Sequence, residues 1–140
     1  MRASGYGDQK AYALRANEAI ICCVQIEDIA AVNEIDRIVK VPGLDWIMTG
    51  PNDMSGSAGC FLETGNPKVQ HALDKIAGAA HRAGLPLVGN GFDLDGIQQA
   101  LRGGCQVLLV GEDVYFLQQG MANAIKMFKE ALRRTRKIGG

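Results

Sequence analysis

Four times along the chain a short, continuously apolar segment gives way to a longer one whose apolar residues return every three or four positions. "AIICCVQIE" (19–27) is β-branched and unbroken, as expected of a strand covered on both faces. "DIAAVNEIDRIVKV" follows as a helix, with Val32, Ile35 and Val39 on one face, and Pro42-Gly43 stops it. "LDWIMTG" (44–50) predicts a second strand. Asn66-Pro67 opens a long helix with Val69, Leu73, Ile76 and Ala80 in one stripe and Gly84 as its C-terminal cap. "LPLVGNG" (85–91) predicts a short third strand, and "DLDGIQQALRGG" a helix ended by Gly103-Gly104. "CQVLLVG" (105–111) predicts the fourth strand. The last helix carries Val114, Leu117, Met121, Ala124, Phe128 and Leu132 in steps of three and four, which predicts a core-facing stripe, not a cofactor box.

Strands alternating with helices mean an α/β fold built of βαβ units, with a parallel sheet and right-handed crossovers. A doubly wound sheet and a (β/α)8 barrel both satisfy that rhythm. A barrel takes about 250 residues. Four βα units over 19–140, behind a lead-in loop and helix at 1–18, make a single partial-barrel domain of 140 residues.

Charge narrows the partners. Lys+Arg and Asp+Glu number 15 each, so a net charge of +0 gives no argument for nucleic acid or a membrane surface. The basic run "RRTRK" (133–137) suits a solvated helix C-terminus. Cys22, Cys23, Cys60 and Cys105 lack paired metal-ligand spacing. Cys22 and Cys23, adjacent on a strand, would face opposite ways, and Cys22 and Cys105 sit in apolar runs as reduced core residues. No apolar run reaches 18 residues and the N-terminus has no signal-peptide core, so a cytoplasmic protein is expected.

Parallel α/β sheets collect function where strand C-termini open into loops. Gln25 and Glu27 lie two apart at the end of the first strand, on one face, and "TGPND" delivers Asp53 after the second. The third strand ends in Gly89-Asn90-Gly91-Phe92 and the fourth in Gly111-Glu112-Asp113. Neighbouring strands lie about 4.8 Å apart, so Glu27 and Asp53 converge if those strands pair. Two close carboxylates repel unless a proton or cation lies between them. Without clustered His or Cys, the cation would be a hard one such as Mg²⁺ or Mn²⁺. Two plainer readings stay open: Glu27 as the acid that begins a helix, and "GPND" as a turn. None of the seven lysines ends a predicted strand, which disfavours Schiff-base chemistry. The Gly-rich strand ends lack a dinucleotide or Walker fingerprint.

"RASGYG", "VQIED", "GPNDMSGSAG", "NPKVQHAL" and "LLVGEDVYFL" together resemble the C-terminal half of the HpcH/HpaI aldolases, which are metal-dependent (class II) pyruvate aldolases. The resemblance covers nearly the whole chain, and "QIE" with "GP-x-D-x-S" is far more specific than either alone. It implies the C-terminal half of a TIM (β/α)8 barrel of the phosphoenolpyruvate/pyruvate type. It assigns a divalent metal (Mg²⁺ or Mn²⁺, with Co²⁺ next) to Glu27 and Asp53. Pyruvate contacts fall to Gln25 and to the backbone around Asn52 and Asp53. Gly50-Pro51 would then let the backbone approach a small anion while fixing Asp53 toward the metal.

The activity it implies is cleavage of a 2-oxo-4-hydroxy acid to pyruvate and an aldehyde through a metal-bound pyruvate enolate. The expected partners are a 2-oxo acid substrate and either further copies of the chain, as a homo-oligomer, or a complementary N-terminal half-barrel. The family's general-base His and transition-state Arg lie in the N-terminal half, so no catalytic residue is assigned. His71 and His81, on a predicted outer helix, are not expected to replace that base. The alternative is a non-catalytic half-barrel that serves as an assembly module. Either way, strands 19–27 and 105–111 would be open edges, with Ile26 and Leu108 on an inner face lacking its opposite wall.

Overall fold

A computed structural model of the chain describes residues 2–7 and 10–138. Four strands, β1 (Cys23–Ile26), β2 (Trp46–Thr49), β3 (Leu87–Asn90) and β4 (Val107–Leu109), form one parallel sheet. Their order in space is their order in sequence. A doubly wound sheet reverses direction at a switch point; a barrel never does. The topology is therefore the barrel's, left open at β1 and β4.

Register assigns the two faces. Val24, Ile47 and Leu87 are aligned across β1 to β3, and Gln25, Met48, Val88 and Val107 across all four strands. The first row packs under the helices, where Ile26, Val32, Ile35, Ile47, Val69 and Ile76 belong to one buried cluster. Ile26 thus faces the helices and is buried, contrary to its expected place on the inner face. Leu108, aligned with Gly89, alternates with Val107 and also takes the helix side.

The paired strands are shorter than the apolar runs that announced them. Before Cys23 the chain has no strand beside it, because β2 begins only at Trp46. Cys22 is exposed, not core, and is held by Asp45, whose Oδ2 accepts from the Cys22 amide at 2.7 Å. Cys105 is half-buried against the core, and burial pushes its thiol pKa up.

A 3₁₀ turn (Arg2–Gly7) and helix α1 (Lys10–Ala19) precede the sheet. The helix expected after β1 is two, α2 (Ile29–Asn33) and α3 (Ile35–Ile38), broken at Glu34. Its apolar face survives the break, with Val32 and Ile35 buried. "GPND" does not end as a turn: Pro51 starts a seven-residue helix, α4 (Pro51–Ser57), seated by the fully buried Met54 and Ser55. α5 (Pro67–Ala83) has the expected ends. The Asn66 side chain accepts from the Lys68 amide at 3.1 Å, and Gly84 closes the helix at φ 70°, where a side chain is disfavoured. α6 (Leu94–Arg102) follows β3, with the Asp93 carboxylate accepting from the Gly96 amide.

α7 (Asp113–Ile138) departs from expectation in its packing. Its apolar stripe is exposed, Met121 by 58% and Phe128 by 65%, and so are Val114, Leu117, Ala124 and Leu132. An amphipathic pattern says that a face seeks burial; it does not say that the same chain covers it. Arg133 and Arg134 are exposed as expected, Arg134 pairing with Glu130 at 2.8 Å, while the side chains of 136–137 lie outside the described residues.

Candidate metal and substrate site

The ends of β1 and β2 meet. Ile26 is aligned with Thr49, and the Gly50 amide donates to the Ile26 carbonyl at 3.0 Å, one step beyond the paired strands. Alternation then puts Gln25 and Glu27 on the same side, where Gln25 Nε2 donates to Glu27 Oε2 at 2.8 Å. Both side chains fill the space above Gly50. A Cβ there would lie 2.7 Å from Gln25 Nε2, 2.7 Å from Glu27 Cβ and 2.9 Å from Glu27 Oε2. Gly50 therefore makes room for the Gln25–Glu27 pair, a role its turn chemistry does not reveal.

Asp53 stands in the first turn of α4, three residues after Gly50, and is exposed, as are Gln25, Glu27 and Asn52. Gly50 caps α4 without a side chain, which leaves the first amides of the helix free of a side-chain cap. The helix is tied to the segment that follows it. Ser55 Oγ donates to the Asn52 carbonyl at 2.6 Å and accepts from the Leu62 amide at 2.9 Å. At the far end of α4, Ser57 Oγ donates to Asp28 Oδ2 and accepts from the Ile29 amide, both at 3.0 Å. Asp28 also accepts from the Ala30 amide, and that bond, with the Ser57 one, holds its carboxyl below the usual Asp value. Neither Ser57 nor Asp28 was singled out by the sequence, which separates them by 29 positions.

Glu27 and Asp53 are the side chains here that could hold a cation. Among the described residues no group of three or more His, Cys, Asp or Glu forms a ligand cage. Two carboxylates with water and substrate oxygens completing the shell suit Mg²⁺ or Mn²⁺, which keep several waters, and not a structural zinc. His71 and His81 both lie on α5 and are exposed, far along the chain from either strand end. A cavity of about 500 Å³ lies elsewhere, between α5 and α6, with Thr49, Asn52, Leu73, Asp74, Leu87 and Gln99 in its wall. Asn52 touches it, but Gln25, Glu27 and Asp53 do not, so it is not the carboxylate site. The other two strand ends are tied together by aromatics. Tyr115 stacks on Phe92 at 5.1 Å and donates its hydroxyl to the Phe92 carbonyl at 2.7 Å.

Residues 3–119 match the family model "HpcH/HpaI aldolase/citrate lyase". The chain belongs to this family. The 2-keto-3-deoxy-L-rhamnonate aldolase of Salmonella paratyphi A is 32% identical over 132 residues, 91% of this chain and 48% of that protein. The hydroxypyruvate/pyruvate aldolase of Paraburkholderia phytofirmans is 29% identical, over 90% of this chain and 48% of that one. The crystal structure of an HpcH/HpaI aldolase from Desulfitobacterium hafniense DCB-2 superposes with a TM-score of 0.75 at 33% identity, covering 91% of this chain and 51% of that one. The chain spans about half the length of the curated relatives it matches. Its four βα units are half of the TIM barrel of these HpcH/HpaI aldolases, and no helix among the described residues is long and apolar enough to cross a membrane.

Proposed function

We propose that this chain carries the metal and pyruvate half of a class II pyruvate aldolase, a carbon–carbon lyase that splits a 2-oxo-4-hydroxy acid into pyruvate and an aldehyde. The observation that carries the proposal is the Gln25–Glu27 pair seated over Gly50, with Asp53 in the first turn of α4, the helix that follows. The relatives' names, a hydroxypyruvate/pyruvate aldolase and a 2-keto-3-deoxy-L-rhamnonate aldolase, support the same class of 2-oxo acid substrate.

Glu27 and Asp53 would hold Mg²⁺ or Mn²⁺, with Co²⁺ next. Bound there, the cation would act as a Lewis acid on the ketone of a 2-oxo acid, easing charge onto its oxygen as the C3–C4 bond breaks. The chain's own residues do the rest. Gln25 fixes the Glu27 carboxylate by its 2.8 Å bond, and its second amide hydrogen would be the donor to a substrate oxygen. The uncapped amides of Asn52 and Asp53 are donors for the substrate carboxylate, held in place by Ser55 beneath Asn52. The proton on the substrate's 4-hydroxyl needs a base, and both histidines of this chain lie on α5. A complementary N-terminal half-barrel would supply it while closing the sheet at β1 and β4; a second copy would cover the open edges without adding a base. The exposed stripe of α7 favours a second reading in which the chain serves assembly alone.

Oxaloacetate separates them, since losing CO₂ from it needs the same charge stabilisation but no base on a hydroxyl. With Mn²⁺ the chain should accelerate decarboxylation, and Glu27→Ala and Asp53→Ala should return the rate to that of free Mn²⁺. Equal rates for parent and variants would leave only the assembly reading.

A further inference from the structure

Glu27 lies between β1 and α2 and Asp53 in α4, and each is followed closely by a residue that reaches across to the other's segment. Asp28, next to Glu27, is the N-cap of α2; Ser57, four residues after Asp53, ends α4. Ser57 Oγ donates to Asp28 Oδ2 and accepts from the Ile29 amide, each at 3.0 Å. Among the described residues these are the side-chain hydrogen bonds that join 27–29 to 51–57. We infer that this clasp sets the spacing of the Glu27 and Asp53 carboxylates, which makes Ser57 a positioning residue for the divalent cation. The inference rests on the metal reading proposed above.

Helix capping alone does not account for the clasp. Asp28 Oδ1 already accepts from the Ala30 amide at 2.6 Å, the usual capping bond, and leaves Oδ2 for Ser57. Both residues are exposed, so water could satisfy every group involved. What water cannot do is fix one element against the other. β1 is an edge strand, paired on the β2 side alone, and its last tie to β2 is the Gly50–Ile26 bond. α4 is seated at its middle by Met54 and Ser55. A tilt of α4 about that seat would carry Asp53 away from Glu27; the Gly50–Ile26 bond resists it at the start of α4, and Ser57 resists it at the other end.

The test is Mn²⁺ affinity of the 140-residue chain, read from the resonance of free Mn²⁺, together with the thermal midpoint of the metal-free protein. Ser57→Ala should weaken binding about tenfold, the low end for residues that orient ligands from outside the coordination shell. Its midpoint should stay at the parent's value, and Ser57→Thr, which keeps the hydroxyl, should restore affinity. If Ser57→Ala binds as the parent does while Glu27→Ala does not bind, the clasp is overturned and the metal reading stands. If Ser57→Ala loses affinity only along with its midpoint, and Ser57→Thr fails to restore it, the role is structural and the inference is wrong. If Glu27→Ala binds as tightly as the parent, the metal reading falls and takes the clasp with it.

Discussion

The Gln25 amide donates to the Glu27 carboxylate across 2.8 Å, in the space that a side chain at position 50 would occupy. The pair and the glycine are one unit. Gly50→Ala puts a methyl within 2.9 Å of Glu27 Oε2 and forces the carboxylate to turn away. Mn²⁺ affinity should then fall by about tenfold or more, although residue 50 bears no ligand atom. Titrating the variant beside the parent checks this; unchanged affinity would mean that the carboxylate does not need its present orientation.

Ser55 ties the first turn of α4, which carries Asn52 and Asp53, to the segment at Leu62. Ser55→Ala removes a donor to the Asn52 carbonyl and an acceptor for the Leu62 amide at a fully buried position. The expected loss is about 1–3 kcal/mol, readable in urea unfolding at constant m-value. A loss below a few tenths would show that water replaces both bonds.

The centre of the core lies where α5 crosses β2, with Ile47 and Ile76 both fully buried. Ile76→Ala should cost about 2–5 kcal/mol, the usual range for such truncations. Asp74→Ala, on the same helix but exposed, should stay within about 0.5 kcal/mol.

α5 was legible because four local signals agree: Asn66 at the cap, Pro67 after it, a stripe through Val69 and Ile76, and Gly84 at the end. Strand positions were legible and strand ends were not, since a strand stops where its neighbour stops, and Trp46 decides that for β1. α4 was missed because seven residues carry less than two full turns of pattern, although Pro51 and Asp53 are good first-turn residues. The placement of Gln25 and Glu27 on one side followed from alternation alone. The Asp28–Ser57 clasp did not, for no sequence rule links two residues 29 positions apart. Alternation with Gln25 and Glu27 already placed Ile26 on the opposite side, so its inner-face expectation was a misreading; for Leu108, a continuously apolar strand does not say which side meets the helices.

The stripe of α7 and the free sides of β1 and β4 predict association. Unpaired strand edges template further pairing, and Met121 and Phe128 are exposed by 58% and 65%. At low micromolar concentration the chain should sediment above its 15.0 kDa monomer mass. Replacing both with Glu should shift it toward the monomer without unfolding it. A compact parent monomer with a cooperative melt would show that the open sheet needs no partner.

The central claim is that Glu27 and Asp53 hold one cation between them, and calorimetric titration with Mn²⁺ tests it most directly. The parent should bind a single Mn²⁺ per chain, and Glu27→Ala and Asp53→Ala should each abolish that binding, because neither carboxylate alone forms the site. Glu27→Ala binding Mn²⁺ as tightly as the parent would contradict the account.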